Sequence, residues 1–544
     1  MSKPRRFSLQ LAPWDGMCRN FRWEIPEAFN IAAVCCDEWA EHAPGKVAII
    51  QLSADGARHE WRYRTLRAEA NRLANVLAAL GVGRGDRVAV LLGQRAECMV
   101  AHLAIYKLGA VALPLFGLFG PDALAVRLAD SGAVAALTDA AGVEKLAAIR
   151  AALPALAHVL SVDGPGAGAG DWPALAARAS DRFETAATGP DDPALMIYTS
   201  GTTGAPKGVL HGHRVLIGHL PGLVMHHEGF PQPGDTGWTP ADWAWIGGLL
   251  DMALPCLYWG VPLIAHRAAK FDPEAAFALI AQEGVRNLFL PPTALRLMRS
   301  APPPSGLAPR TVASGGEPLG ADMLDWGRSA FGVTINEFYG QTEGNIIVSS
   351  CAAVGAVRPG WMGRAVPGHE VAVIGPDGAP LPAGETGEIA LAAPDPVMFL
   401  CYWNQPRKTA EKFTGRWMRT GDLGVMDEEG FLRFVAREDD VITSSGYRIG
   451  PSEIEACLAA HPDVVMAAVV GIPDVARTEV VTAFIVPRPG AEPGLEAALA
   501  AHVRARLSPH MAPRSVVLVE SLPMTATGKV QRRVLRETHG ISQM

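Results

Sequence analysis

Among the 544 residues there is no Cys-x-x-Cys pair. The eight cysteines, Cys18, Cys35, Cys36, Cys98, Cys256, Cys351, Cys401 and Cys457, are scattered, so neither a zinc ribbon nor a redox dithiol is signalled. A reducing compartment fits, with most thiols serving as small buried hydrophobes. An excess of positive charge is missing too. The 48 basic and 55 acidic side chains leave a formal charge of -7, which disfavours a broad nucleic-acid-binding surface and leaves room for a local anion site. The polar N-terminus has no apolar signal core. The one stretch near membrane-spanning length, Trp245 to Ile264, carries Asp251, three glycines and two prolines. It reads as a buried segment of a large α/β domain. No repeat recurs at a fixed period.

What is present points to a large α/β protein. A hydrophobic content of 49% supplies an ample core, and the length asks for two or three folding units. Strand-like runs (Asp86 to Gly93, Val111 to Leu115, Ala133 to Leu137) alternate with helix-like ones such as Leu66 to Leu80. Towards the C-terminus, Pro451 to Ala460 predicts a short helix with Ile454, Cys457 and Leu458 on one face. The strand-like runs VVMAAVVG and TAFIVP follow. A boundary near 437–441 separates this smaller unit from the rest.

The run YTSGTTGAPKG, residues 198–208, holds three glycines, five hydroxyl side chains and Lys207 directly after the strand candidate Ala194 to Tyr198. Glycines let backbone N–H groups approach an anion, and hydroxyls and a lysine add donors and charge. Phosphate is the natural guest. The run is not the nucleotide P-loop, because Lys207 is followed by Gly208 rather than Ser or Thr. Read alone, it is equally a flexible surface turn.

This stretch resembles the phosphate-binding signature of the adenylate-forming enzymes: acyl-CoA synthetases, luciferases and peptide-synthetase adenylation domains. Five further segments occur in that family's order: SGGEPL (314–319), EFYGQTEG (337–344), RTGDLG (419–424), AREDDVITSSGYRIGPSEIE (436–455) and PMTATGKVQR (523–532). The resemblance implies a large N-terminal domain, residues 1–438, of two α/β-layered subdomains plus a small β-barrel. It implies a small mobile α+β domain, residues 439–544, carrying the catalytic lysine.

By the same resemblance, Thr199, Ser200, Gly201, Thr202, Thr203 and Lys207 would hold the ATP phosphates. Gly315, Gly316 and Glu317 would lie along adenine, and Tyr339 would stack on it. Thr342 would contact the α-phosphate and Glu343 would hold Mg²⁺, a hard oxygen ligand for a hard cation. Asp422 and Arg437 would meet the ribose, and Lys529 would join the carboxylate to the α-phosphate. Asp439 matches the hinge, and Gly446, Tyr447 and Arg448 match the coenzyme A side. Taken singly, Tyr339 is an ordinary buried aromatic, Glu343 a solvated carboxylate, Asp422 a turn residue and Lys529 an exposed lysine. The surrounding motifs carry the functional reading. Ala436 departs from the glycine common before the ribose arginine, which ordinary backbone angles would tolerate.

The implied reaction joins a carboxylic acid to coenzyme A through acyl-AMP, releasing AMP and pyrophosphate, with ATP, Mg²⁺ and coenzyme A as cosubstrates and cofactors. The motifs look most like bacterial medium-chain acyl-CoA synthetases. Trp245 is expected beside the acyl group, with Trp243 either there or in the core. Gly340 stands where acetate-specific relatives carry a tryptophan that closes the pocket. Glycine is expected to leave that space open and to favour medium-chain or branched short-chain acids. Two alternatives keep the adenylation: a ligase that loads a separate carrier protein, and an acetyl/propionyl-CoA synthetase of broad specificity. A non-catalytic protein that keeps the fold is opposed by the intact Thr342, Glu343, Asp422, Arg437 and Lys529. The expected setting is cytoplasmic, with no membrane span, no nucleic-acid partner and a homo-oligomer allowed.

Overall fold

The structure is a computed structural model. It describes all residues except 1–5, 54–55, 200–205, 269, 438–439, 445–446, 475–477, 492–493, 508–510, 526–527 and 541–544. Its strands lie in three sheets. In the eight-stranded sheet, Val111–Pro114, Arg87–Leu91, Ala135–Thr138 and His158–Ser161 run parallel. Such strands are covered on both faces, which explains their unbroken apolar runs. Arg87–Leu91 shows the division: Val88 and Val90 pack with the helices Tyr63–Ala79 and Ala96–Lys107, whereas Ala89 and Leu91 pack with Pro121–Ser131 and Ala140–Ile149. One edge turns antiparallel, where Pro193–Thr199 pairs with Lys207–Gly212.

The second sheet has fourteen strands. Leu263–His266, Gly237–Trp238, Asn287–Phe289, Thr311–Gly315 and Ile335–Gln341 are parallel. From Gly344–Ser349 onward the path continues antiparallel through Gly363–Ala365, Phe431–Arg437, Trp417–Met426, Thr386–Ala392 and Val371–Ile374. These antiparallel strands form the smaller β unit and enclose a core of Ile347, Ile389, Leu391 and Met418. The motif EFYGQTEG sits at the changeover. That position, beyond the carboxyl ends of parallel strands, is where open α/β sheets bind ligands.

A five-stranded sheet at the C-terminal end holds Ile442–Ser444, Val464–Asp474 and Thr478–Pro487. The helix Pro451–Ala459 opens on proline, with Ile454 and Leu458 buried and Cys457 packed against the same core. All eight cysteines are free thiols.

No helix among the described residues is long and apolar enough to cross a membrane. Trp245 to Ile264 folds as broken, buried helix followed by a strand. The helix widens to π geometry at Leu249–Ala253, and Asp251 is 1% exposed. Its partners explain how a carboxyl survives there. Asn345 Nδ2 donates to Asp251 Oδ1 at 2.6 Å and lies 3.2 Å from His219 Nε2. His219 Nδ1 lies 2.7 Å from the Val215 carbonyl, so it carries the proton and Nε2 accepts.

The segment holding Phe7, Trp14 and Trp23 straps the buried helix Leu254–Trp259 to the strand Gly363–Ala365 of the fourteen-stranded sheet and the turn after it. The Phe7 N–H donates to the Tyr258 hydroxyl, and the indoles of Trp14 and Trp23 donate to the carbonyls of Ala365 and Gly368.

Candidate active site

A cleft of about 790 Å³ is lined by residues from every motif named above. On its phosphate side, Thr199 pairs with Lys207 across the hairpin. Ser200, Gly201, Thr202 and Thr203 lie outside the described residues. The Lys207 ammonium sits 5.1 Å from the centre of the Tyr402 ring. The Tyr402 hydroxyl in turn donates to Glu343 Oε1, and the Glu343 carbonyl accepts from Phe399 N at 2.9 Å. Glu343 is 9% exposed and lines the cleft with Thr342. The Tyr198 hydroxyl turns away and donates to Asp130.

On the opposite side the strands Trp417–Met426 and Phe431–Arg437 set Asp422 directly across from Arg437. Arg437 Nε is 3.6 Å from Asp422 Oδ1. Asp422 Oδ2 accepts from the Tyr339 hydroxyl at 2.6 Å and from Gln341 Nε2 at 2.7 Å. Lys412 Nζ donates to Gln341 Oε1 at 3.3 Å and to the Thr420 carbonyl at 3.2 Å. Burial pushes its ammonium pKa down, while Glu343 and Asp422 pull the other way. Ala436 is fully buried in the strand Phe431–Arg437, beside a break in register, and its methyl group is accommodated.

Gly315 ends a parallel strand, and Gly316 follows at φ +99°. The Glu317 carboxylate is held by Arg296. A Cβ on Gly316 would lie 3.1 Å from the Trp245 ring and 4.0 Å from Lys529 Cε, so this bare backbone is a shelf under both. Lys529 closes a short loop: Met524 bridges Val530, and Lys529 N donates to Thr525 Oγ1 at 3.0 Å. Thr293 Oγ1 donates to the Gly528 carbonyl at 3.2 Å and ties this loop to the large sheet's flank. The Lys529 side chain keeps exposed surface within the open cleft, yet protein crowds round it. That desolvation pushes its ammonium pKa down. Glu317, Asp422 and Glu343 oppose the shift and Arg437 adds to it.

Trp245 packs on Phe289, with ring centres 5.6 Å apart, and lines the cleft. Trp243 is 1% exposed and belongs to the core. Gly340 lines the cleft, but the expectation of open space at its side chain is corrected. A Cβ there would stand 2.4 Å from Ile346 N and 2.6 Å from Asn345 Cα. The facing strand occupies that space, and glycine is needed for the close approach. Asp439 and Gly446 fall outside the described residues. Tyr447 and Arg448 begin the strand Tyr447–Ile449, with their side chains outside the description.

Sequence reading missed Tyr402, Lys412, Gln341, Arg296 and Thr293. Gln341 lay inside a quoted motif. The others stand in ordinary sequence, and only the folded chain brings them to the cleft.

The profile of the AMP-binding enzymes matches residues 36–403, and that of the AMP-binding enzyme C-terminal domain matches residues 453–529. The acetyl-coenzyme A synthetase of Bacillus subtilis (strain 168) is 34% identical, over 93% of this chain and 90% of its own. The human mitochondrial acyl-coenzyme A synthetase ACSM4 is 33% identical, over 97% and 93%. The crystal structure of the Brucella canis acyl-CoA synthetase superposes with a TM-score of 0.75 at 34% identity, covering 98% of this chain and all of that one. With relatives a third identical along nearly the whole length, this chain belongs to the AMP-forming acyl-CoA synthetases of the adenylate-forming superfamily, ligases that use ATP and coenzyme A.

Proposed function

We propose that the enzyme activates a medium-chain or branched short-chain carboxylic acid, with Lys529 assisting the first half-reaction. The observation that carries this is the seating of Lys529 in the cleft, beside Glu317 and the Asp422–Arg437 pair. The acid's carboxylate oxygen forms the new bond to the α-phosphorus as pyrophosphate leaves. Two anions meet in that step, and an ammonium between them lowers the barrier without acting as a base. The coenzyme A thiol then attacks the acyl carbon, and AMP departs.

Asp422, with one oxygen already held by Tyr339 and Gln341, is oriented for the ribose hydroxyls, and Arg437 joins it. Thr199 and Lys207 frame the phosphates from the ends of their hairpin, with Ser200, Gly201, Thr202 and Thr203 between them. Thr342 faces the α-phosphate. Gly315, Gly316, Glu317 and Tyr339 border the base. The division of labour falls at 438/439: residues 1–438 bind nucleotide and acid, and residues 439–544 deliver Lys529. Turning at Asp439, the smaller part would offer Gly446, Tyr447 and Arg448 to coenzyme A.

The residues fit Mg²⁺. Tyr402 holds one oxygen of Glu343, and one carboxylate plus substrate phosphate oxygens is how this ion is commonly bound. No group of three His, Cys, Asp or Glu among the described residues builds a metal cage of its own. When bound through Glu343, the ion would neutralise phosphate charge.

The choice of acid rests on the aromatic surface that Trp245 and Phe338, both packed on Phe289, give the cleft, not on free space at Gly340. Coenzyme A-dependent AMP formation across straight-chain acids from acetate to dodecanoate, isobutyrate and benzoate is the test. An optimum beyond propionate is expected. A preference for acetate would sink the substrate assignment, and adenylate formation without coenzyme A turnover would move it to a carrier protein. Lys529→Ala should lose adenylation and keep thioester formation from supplied acyl-AMP.

A further inference from the structure

The side chain of Lys529 extends past Gly316 from a loop that is itself held from outside. The helix Pro292–Met298 presents Thr293 in its first turn and Arg296 one turn later, on neighbouring positions of one face. Thr293 donates its hydroxyl hydrogen to the carbonyl of Gly528, the residue just before Lys529. Gly528 has φ +80°, a conformation open to glycine. Arg296 grips Glu317 from the same helix. Of the carboxylates acting on Lys529 the clamped one opposes its downward shift most, and it also acts on Arg532. Arg532 is fixed within the smaller part by Glu455 Oε1 at 2.9 Å, Glu455 Oε2 at 2.7 Å and Asp440. A helix in one part of the molecule therefore offers a backbone-directed donor and a restrained anion. The other part brings a carbonyl and two cations to meet them.

We infer that Thr293 and the Arg296–Glu317 pair are positioning residues that seat Lys529 for the first half-reaction. This rests on the role given to Lys529 above. Thr293 never touches substrate in this arrangement. It fixes the height of the loop, so that the ammonium lies along Gly316 rather than above it. Glu317, kept from swinging by Arg296, draws Lys529 and Arg532 into the cleft without needing to bond either. A neutral hydrogen bond and a charge that bonds neither cation make a dock that can be released. Such a dock suits a part that must leave again before the thiol can enter.

The test measures both half-reactions separately. Adenylation is followed by acid-dependent pyrophosphate release, and thioester formation by mixing supplied acyl-AMP with coenzyme A. Thr293→Val keeps shape and removes the donor, and adenylation should fall roughly three- to tenfold, the effect of one hydrogen bond. Thioester formation should be unchanged. Thr293→Ser should restore adenylation, which a packing role for the methyl group would not allow. Arg296→Met, which releases Glu317, should lower adenylation more than thioester formation. Equal loss of both half-reactions in Thr293→Val, or no loss in either, overturns the dock. If Thr293→Val folds poorly, Thr293→Ala is read the same way. Lys529→Ala, measured alongside, separates the two layers. If it keeps adenylation, the role of Lys529 itself fails. If it loses adenylation while Thr293→Val does not, the dock alone fails.

Discussion

At the scale of single residues, glycine is where sequence and structure part most clearly. Gly340 reads from sequence as a missing side chain, hence as space. In the fold the missing Cβ is what lets Asn345 and Ile346 pass at contact distance. Gly340→Ala is therefore expected to displace the turn that carries Thr342 and Glu343, rather than to trim the substrate pocket. Overpacking of this kind costs about 1–3 kcal/mol. Activity on short and long acids should fall together, with a lower melting temperature. A selective loss of the longer acids, with stability unchanged, would restore the open-pocket reading. Gly316 makes the complementary point. Its motif was legible, but its use as a shelf for both Trp245 and Lys529 depends on segments more than two hundred residues apart along the chain.

At the scale of elements, the helix Val215–His226 is buried throughout and must satisfy its polar groups inside the protein. Gly222 lets Ile346 approach it, and Ile346 takes φ +50°, unusual for a β-branched residue. The adjoining Asn345 side chain then meets Asp251 and His219. Burial raises the Asp251 pKa well above its ordinary value, against the hydrogen bond from Asn345, so the folded protein holds this proton to higher pH than the unfolded chain does. Once the pH passes about 3.9, the unfolded chain gives up this proton while the folded chain retains it. The unfolded state binds fewer protons, and stability falls as pH rises. Asn at this position keeps the acceptor and has no proton to lose. Asp251→Asn should gain on the parent enzyme between pH 5 and pH 8 in urea unfolding, by up to about 1.4 kcal/mol per pH unit. A constant gap would show that Asp251 is ionised in the fold. The elements themselves were largely readable. The expected strands and the helices at Leu66 to Leu80 and Pro451 to Ala460 form with ends that coincide or differ by up to four residues. Apolar periodicity reports which face is buried, and that is a local property. The Asp251–Asn345–His219 knot was not readable, because three unrelated segments supply it.

At the scale of the whole molecule, the histidines are concentrated in the interior. Burial lowers His102, His211 and His227 to about 3 and His213 and His219 to about 4, with His226 well below its ordinary value. All six stay neutral in the fold, while the unfolded chain protonates them below about pH 6.5. Their contribution to stability is present above that pH and is lost as pH falls towards the folded values. Each histidine removes up to about 1.4 kcal/mol per pH unit in that window, together enough to outweigh the opposite drift from Asp251 and from Glu337, whose carboxyl burial pushes up to about 7. Calorimetry should find the melting temperature dropping more steeply from pH 6.5 to 5 than from 8 to 6.5. A flat profile would mean that the histidines are solvated. The strap formed by Phe7, Trp14 and Trp23 has a consequence for synthesis. These residues leave the ribosome well before their partners at Tyr258, Ala365 and Gly368, which are made 251, 351 and 345 residues later. At about 5–20 residues per second, the indoles wait roughly 20 to 70 seconds for their acceptors. The segment is thus made well before anything it can dock on, and until then three aromatic side chains stand open to chaperones or to a neighbouring chain.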